Sequence, residues 1–186
     1  MKIITIPHPT LRQTATKVTK FSDDLQRFVK NLQTTLQQTN NPRGVGLAAP
    51  QVDRLIRVFA THIEEDAQVM PRIFINPVAT KQSKKHTFGA DPENPRLEGC
   101  LSMPLLYGPV PRWEWVEVEY QTYQDNQLVE KRERFDGFHA RVIQHEIDHL
   151  NGILFTDYSL KYELPVYREV KNELVELTDR SILELY

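Results

Sequence analysis

Only one cysteine stands among the 186 residues. Cys100 therefore has no partner for an intramolecular disulfide, and its thiol is either a small buried apolar group or chemically employed. No apolar run approaches the roughly 20 residues that span a bilayer, which excludes a helical membrane protein. Pro7 and Pro9 interrupt the opening Met1-Lys2-Ile3-Ile4-Thr5-Ile6, so an apolar segment of signal-peptide length is missing too, and the cytoplasm is the expected compartment. An excess of one charge is also lacking: 23 Lys and Arg against 25 Asp and Glu leave a formal net charge of −2. Without a massed cationic face, direct nucleic-acid binding is not expected. There is no internal repeat and no low-complexity tract. Length and an ordinary apolar content predict one domain, residues 1–186, with a sizeable core.

The order of elements can be read along the chain. Leu25, Phe28, Val29, Leu32 and Leu36 recur at helical spacing after Ser22, an N-cap residue followed by Asp23 and Asp24. This predicts an amphipathic helix over 22–40. Short β-like runs follow at 55–60 and 73–80, with a polar loop between them at 61–71. Residues 81–97, rich in charge, Gly and Pro, predict a long surface connection. Val116, Val118 and Tyr120 alternate with Glu117, Glu119 and Gln121, and a strand from Leu128 to Phe135 after the turn at 124–127 completes a hairpin. From Gly137, the apolar residues Val142, Ile143, Ile147 and Leu150 interleave with histidines on a short, mostly buried helix that Gly152 ends. A last segment, with Pro165 near its first turn and Val166, Val170, Leu174 and Leu177 at helical spacing, predicts a C-terminal helix. The class is α+β: short antiparallel strands packed around the histidine-bearing helix, with an N-terminal amphipathic helix and a C-terminal helix.

That helix carries His-Glu-Ile-Asp-His, residues 145–149. At about 100° per residue, His145 and His149 lie one turn apart on one face and both reach one ion, while Glu146 points beside them as a carboxylate able to take a proton from metal-bound water. The same pattern also fits one core histidine, one solvent-facing histidine and an ordinary surface glutamate. A catalytic metal site has three protein ligands and an open position, so the third ligand discriminates. The metzincin pattern fails, because Phe155 stands where its third histidine would and no Met follows His149. A downstream Glu163 or Glu169 would give a thermolysin-like protease, although Gly152 ends the helix before either.

Two further stretches are unusual. Glu98-Gly99-Cys100-Leu101-Ser102 holds the lone thiol beside a glycine, so Cys100 with His145 and His149 would make a Cys-His-His site with a fourth position free. Alone, the cysteine reads sooner as a small buried hydrophobe. Gly44-Val45-Gly46-Leu47-Ala48-Ala49-Pro50-Gln51 places two glycines where another backbone can approach, as an extended peptide does at a strand edge, and Gln51 adds an amide donor. The spacing is not that of a nucleotide-binding loop. A turn with a small-residue strand is the plainer alternative.

Together, in this order and approximate spacing, the three blocks resemble the signatures of the peptide deformylases, and the opening Ile6-Pro7-His8-Pro9 and the hairpin extend the likeness over most of the chain. The resemblance implies that Cys100, His145 and His149 hold one divalent metal ion, iron(II) in the cell, with zinc, nickel or cobalt as alternatives in isolated protein. It implies that Glu146 is the general base and acid, and that Gln51 and the Leu101 backbone N–H stabilise the oxyanion. The implied reaction releases formate from the initiator N-formylmethionine of new polypeptides. Its substrate-binding set here is Gly44, Val45, Gly46, Gly99, Tyr107, Phe138 and Val142, of which Val45, Phe138 and Val142 are the candidates for the methionine pocket. The family likeness also implies a transient ribosome contact, for which Lys161, Arg168 and Lys171 are candidates. Arg43 stands where many bacterial members have an acidic residue, Tyr107 where they have Arg, and His139 and Arg141 resemble the branch with organellar enzymes. These departures bear on substrate preference, not on the metal ligands.

Overall fold

A computed structural model describes the chain except for residues 64–69, 90, 92–93, 125–126, 180–182 and 184–186. After a 3-10 turn at Pro9–Arg12 comes α1, Asp23–Gln38. It starts where it does because Ser22 Oγ accepts the Leu25 N–H at 3.2 Å, with two aspartates at the positive end of the helix. Its stripe of Leu25, Phe28, Val29, Leu32 and Leu36 is buried against Leu47, Val58, Ala60, Ile73 and Ile75. Each such side chain contributes roughly 1.5–3 kcal/mol on burial.

The strands that follow are β1 (Gly46–Ala48), β2 (Val58–Thr61), β3 (Arg72–Gln82), β4 (His86–Thr87), β5 (Leu97–Cys100), β6 (Met103–Pro109), β7 (Arg112–Trp113), β8 (Trp115–Gln124) and β9 (Gln127–Asp136). Then come α2 (Gly137–Leu150), α3 (Phe155–Lys161), β10 (Tyr167–Val170) and β11 (Glu173–Glu176). All pairings between named strands are antiparallel. The main sheet runs β1-β2-β3-β8-β9, a second β11-β10-β6-β5, and a short ribbon joins β4 to β7. Among the described residues, β1 thus has β2 as its one neighbour and β5 has β6, and each keeps an open edge.

The apolar face of α2, with Ala140, Ile143 and Leu150, packs on Phe59, Phe74, Val116, Val118 and Phe135 of the main sheet. Behind the second sheet Met103 and Val110 meet Leu11, Leu154 and Phe155. The N-terminal segment joins the two halves: Ile4 N–H donates to Gln51 O at 2.9 Å and Ile6 N–H to Ser102 O at 3.0 Å. The turns that carry Gln51 and Ser102 are thereby fixed to one backbone. Gly152 closes α2 at a left-handed φ of +72°, where a Cβ would stand 2.6 Å from the Arg12 carbonyl oxygen.

The α+β class and the hairpin of β8 and β9 agree with the sequence reading, although Asp125 and Asn126 of the predicted turn lie outside the described residues, as do 64–69 of the predicted loop. The C-terminal helix is a correction. Residues 167–176 form a hairpin whose turn residues, Lys171 and Asn172, both have positive φ (52° and 65°). A two-residue turn with both centres left-handed matches the twist of paired strands, and β6 offers an open edge, where Tyr167 and Arg168 pair with Tyr107 and Leu106. Helical spacing of Val170 and Leu174 misled because neither is buried: they are 46% and 49% exposed. A short helix, α3, lies instead at a segment for which no helix is predicted, its first turn tied by the Leu154 N–H donating to Asp157 Oδ2 at 2.8 Å. Within the predicted long connection, His86 and Thr87 pair with Trp113 and Arg112.

Candidate metal centre

Helical pitch places His145 above His149 on α2, with ring centroids 4.9 Å apart and nearly perpendicular. The turn between β5 and β6 brings Cys100 to them, its Sγ 3.2 Å from His149 Nε2. One donor atom from each of Cys100, His145 and His149 lies within 4.8 Å of the others. The downstream carboxylates are elsewhere: Glu163 is exposed and Glu169 is bonded to Tyr107.

Glu98 orients the set from behind. Its Oε2 lies 3.1 Å from His145 Nδ1, which leaves the other ring nitrogen to face the ion position. Arg112 grips the same carboxylate twice, Nε to Oε1 at 2.9 Å and Nη2 to Oε2 at 2.8 Å. Arg141 adds Nη1 to Oε1 at 2.7 Å and donates also to the Val110 and Thr87 carbonyls, both at 2.9 Å. Asp148, on α2, balances Arg112 from the other side. Burial disfavours the charged form of Glu98, but Arg112 and then His145 outweigh it and hold the carboxyl well below the usual range. Burial likewise opposes protonation of His145, which hydrogen bonds with Cys100 and Glu98 overcome, so its pKa rises. His149 is pushed the other way by burial and by the neighbouring His145. A neutral His149, with Nε2 turned to the thiol, is the ligand form of imidazole.

Glu146 is buried, at 2% exposure. Its Oε2 has no hydrogen-bond partner, and burial raises its pKa to about 7 against the pull of His145 and Arg112. Gln51 is clamped by its own Oε1, which accepts the Ala48 N–H at 2.8 Å. The amide Nε2 is thereby aimed at Ser102 Oγ, 3.2 Å away, and at Cys100 Sγ, 3.5 Å away.

A cleft of about 280 Å³ opens over these groups. Cys100, His145, Glu146, Gln51 and Leu101 line it, and His149 lies beneath them, 1% exposed. The predicted substrate-binding residues Gly44, Val45, Gly46, Gly99, Tyr107, Phe138 and Val142 are all on its walls. Arg43 is also on the wall. Sequence reasoning missed the orienting role of Glu98 and the partners Arg112, Arg141 and Asp148. It also missed Arg96, whose guanidinium lies 3.8 Å from the Phe138 ring centroid. A signal existed, since arginines inside apolar segments such as Ala140-Arg141-Val142 need a buried carboxylate.

The donor set fits a metal: a thiol and two imidazoles face one point, one imidazole is oriented by a carboxylate, and an unpartnered glutamate lies beside them. Such a site on an α+β fold defines a small metal-dependent hydrolase. The polypeptide deformylase family model matches residues 1–163, and the chain belongs to that family. Over 181 residues it is 32% identical to the peptide deformylase of Psychrobacter arcticus, covering 97% of this chain and 91% of the relative. Identity to the peptide deformylase of Maricaulis maris is 35% over 158 residues, 84% of this chain and 83% of the relative. The crystal structure of peptide deformylase from Thermotoga maritima superposes with a TM-score of 0.71 at 32% identity, covering 84% of this chain and 95% of that one. The protein is an enzyme of this class, and the family's reaction removes the N-formyl group from nascent polypeptides. Among the described residues, no helix is long and apolar enough to cross a membrane.

Proposed function

We propose that Cys100, His145 and His149 hold one divalent metal ion and that Glu146 is the general base and acid of the deformylation. The observation that carries this is the convergence of the three donor atoms within 4.8 Å beside a buried carboxylate whose Oε2 has no partner. A metal bound there supplies Lewis acidity and draws the pKa of water toward about 7. Iron(II) is the expected ion in the cell, with zinc, nickel or cobalt able to replace it.

Glu146 takes a proton from the water that attacks the formyl carbon and delivers it to the departing amine, leaving formate and a free N-terminus. Gln51 Nε2 and the Leu101 N–H donate to the oxygen that gains charge, each worth about 3–4 kcal/mol in comparable acyl-transfer sites. The Ala48 N–H bond to Gln51 Oε1 keeps that amide from turning its oxygen toward the oxyanion. The open edges of β1, at Gly46, and β5, at Gly99, bound the cleft and suit an extended N-formylmethionyl chain. Val45, Phe138 and Val142 receive the methionine side chain. A cytoplasmic setting and a brief ribosome contact through Lys161, Arg168 and Lys171 complete the proposal.

Substitution of the base tests it. Glu146→Gln binds metal as the wild type does and releases formate at least about 10²-fold more slowly. Turnover within threefold of wild type would remove Glu146 from the mechanism.

A further inference from the structure

The C-terminal hairpin lies beyond residues 1–163, the part that the family model matches, yet it reaches the cleft wall. Tyr107 Oη donates to Glu169 Oε2 at 2.9 Å. The backbones beside this bond are paired, Tyr107 with Tyr167 and Leu106 with Arg168, so β10 covers what would otherwise be an open edge of β6. On its other side Tyr107 faces Gly99 of β5. Its ring fills the space above that glycine: a Cβ on Gly99 would stand 2.8 Å from Tyr107 Cε1 and 2.9 Å from Cδ1. The ring is thus held at its edge by a backbone and at its tip by a carboxylate.

Gly99 precedes the ligand Cys100 and belongs to the open edge of β5 along the cleft. A chain extended along that edge meets the Tyr107 ring. No hydrogen bond described for Tyr107 or Glu169 reaches Cys100, His145, His149, Glu146 or Gln51, so the pair bounds the cleft without touching the reacting groups. The phenol turns about two single bonds, and without Glu169 nothing described holds its hydroxyl end.

We propose that Glu169 is a positioning residue for substrate recognition: through Tyr107 it fixes the part of the cleft wall met by the residues that follow formylmethionine. The proposal rests on the reading of the cleft as a formyl-peptide site. Residues beyond the segment that the family model matches thereby take part in specificity, and Tyr107 has a use for its hydroxyl.

The test measures formate release by full-length metal-loaded wild type, Tyr107→Phe, Glu169→Ala and the double variant. Each is assayed on N-formylmethionine and on an N-formylmethionyl tripeptide. Each single change should raise the KM for the tripeptide about three- to tenfold, the worth of one hydrogen bond, with the loss falling on KM more than on kcat. The KM for N-formylmethionine should move less. Because both changes remove the same bond, the double variant should be no worse than the poorer single one. Glu169→Gln keeps an oxygen that accepts from the phenol and should recover most of the loss, which separates positioning from a general loss of fold. An unchanged ratio of the two KM values, or losses that simply add, would overturn the proposal. If the wild type released no formate from either substrate, the formyl-peptide reading itself would fail, a result distinct from active enzyme with insensitive variants.

Discussion

Gly46 has no side chain, and Glu146 occupies the space where one would begin. A Cβ on Gly46 would stand 2.7 Å from Glu146 Cδ, closer than real contacts allow. The glycine of β1 is therefore what lets the carboxylate lie in the cleft. Gly46→Ala should displace Glu146 and lower kcat by about 10², the usual contribution of a general acid–base group. Steady-state kinetics at saturating peptide decide this, and a wild-type kcat would mean that the carboxylate works from another position.

Metal exchange tests Cys100 as a proposed ligand. Dialysis against a chelator should abolish formate release, and iron(II), nickel or cobalt should restore it. The iron-loaded enzyme should then lose activity in air while the nickel form keeps it, because iron(II) and a thiolate beside it both oxidise readily. Equal half-lives in air for the two forms would contradict a Cys100–iron pairing.

The buried network behind His145 should be costly to break. Arg141 and Glu98 have side chains only 5% and 6% exposed, and Arg141 also satisfies two carbonyls, Val110 and Thr87. Arg141→Ala leaves those acceptors without their donor and strips one cation from Glu98, so a loss of about 3 kcal/mol or more is expected. Urea unfolding of the metal-loaded protein measures it. A loss below about 1 kcal/mol would show that water or Arg112 replaces the missing donor.

A pH effect is expected away from the cleft. Burial alone would raise the Glu133 pKa, but hydrogen bonds from Tyr120 (2.5 Å) and Arg72 (2.7 Å) hold it below its ordinary 4.5. A depressed carboxylate contributes stability that is present above its unfolded pKa and lost as pH falls through the folded one. The melting temperature should thus fall as the medium is acidified below about pH 4.5, and Glu133→Gln should flatten that decline. Parallel acid limbs in the two proteins would refute the assignment.

Legibility of the chain followed the range of the interactions. The α1 stripe and the β8–β9 hairpin were readable because spacing along the chain alone decides which face is buried. The three converging donors were readable because motifs keep His145 and His149 one turn apart and Cys100 beside a glycine. The hairpin at 167–176 was not, because its structure depends on the open edge of β6, a partner some 60 residues away. Separation along the chain, 14 residues for Glu98 and Arg112, 43 for Glu98 and Arg141 and 62 for Tyr107 and Glu169, likewise hid these pairs: each residue type is ordinary, and only folding shows which carboxylate meets which donor.

In the proposed mechanism three residues hold one ion and a fourth moves the proton. An anaerobic iron(II) titration of metal-free protein, read by formate release from a short N-formylmethionyl peptide, tests it most directly when wild type and Glu146→Ala are run side by side. Wild-type activity should rise to a break at about one ion per chain, while Glu146→Ala binds the same equivalent and stays about 10²-fold less active. Activity without added metal, a break at two ions, or a Glu146→Ala curve that follows the wild type would contradict the account.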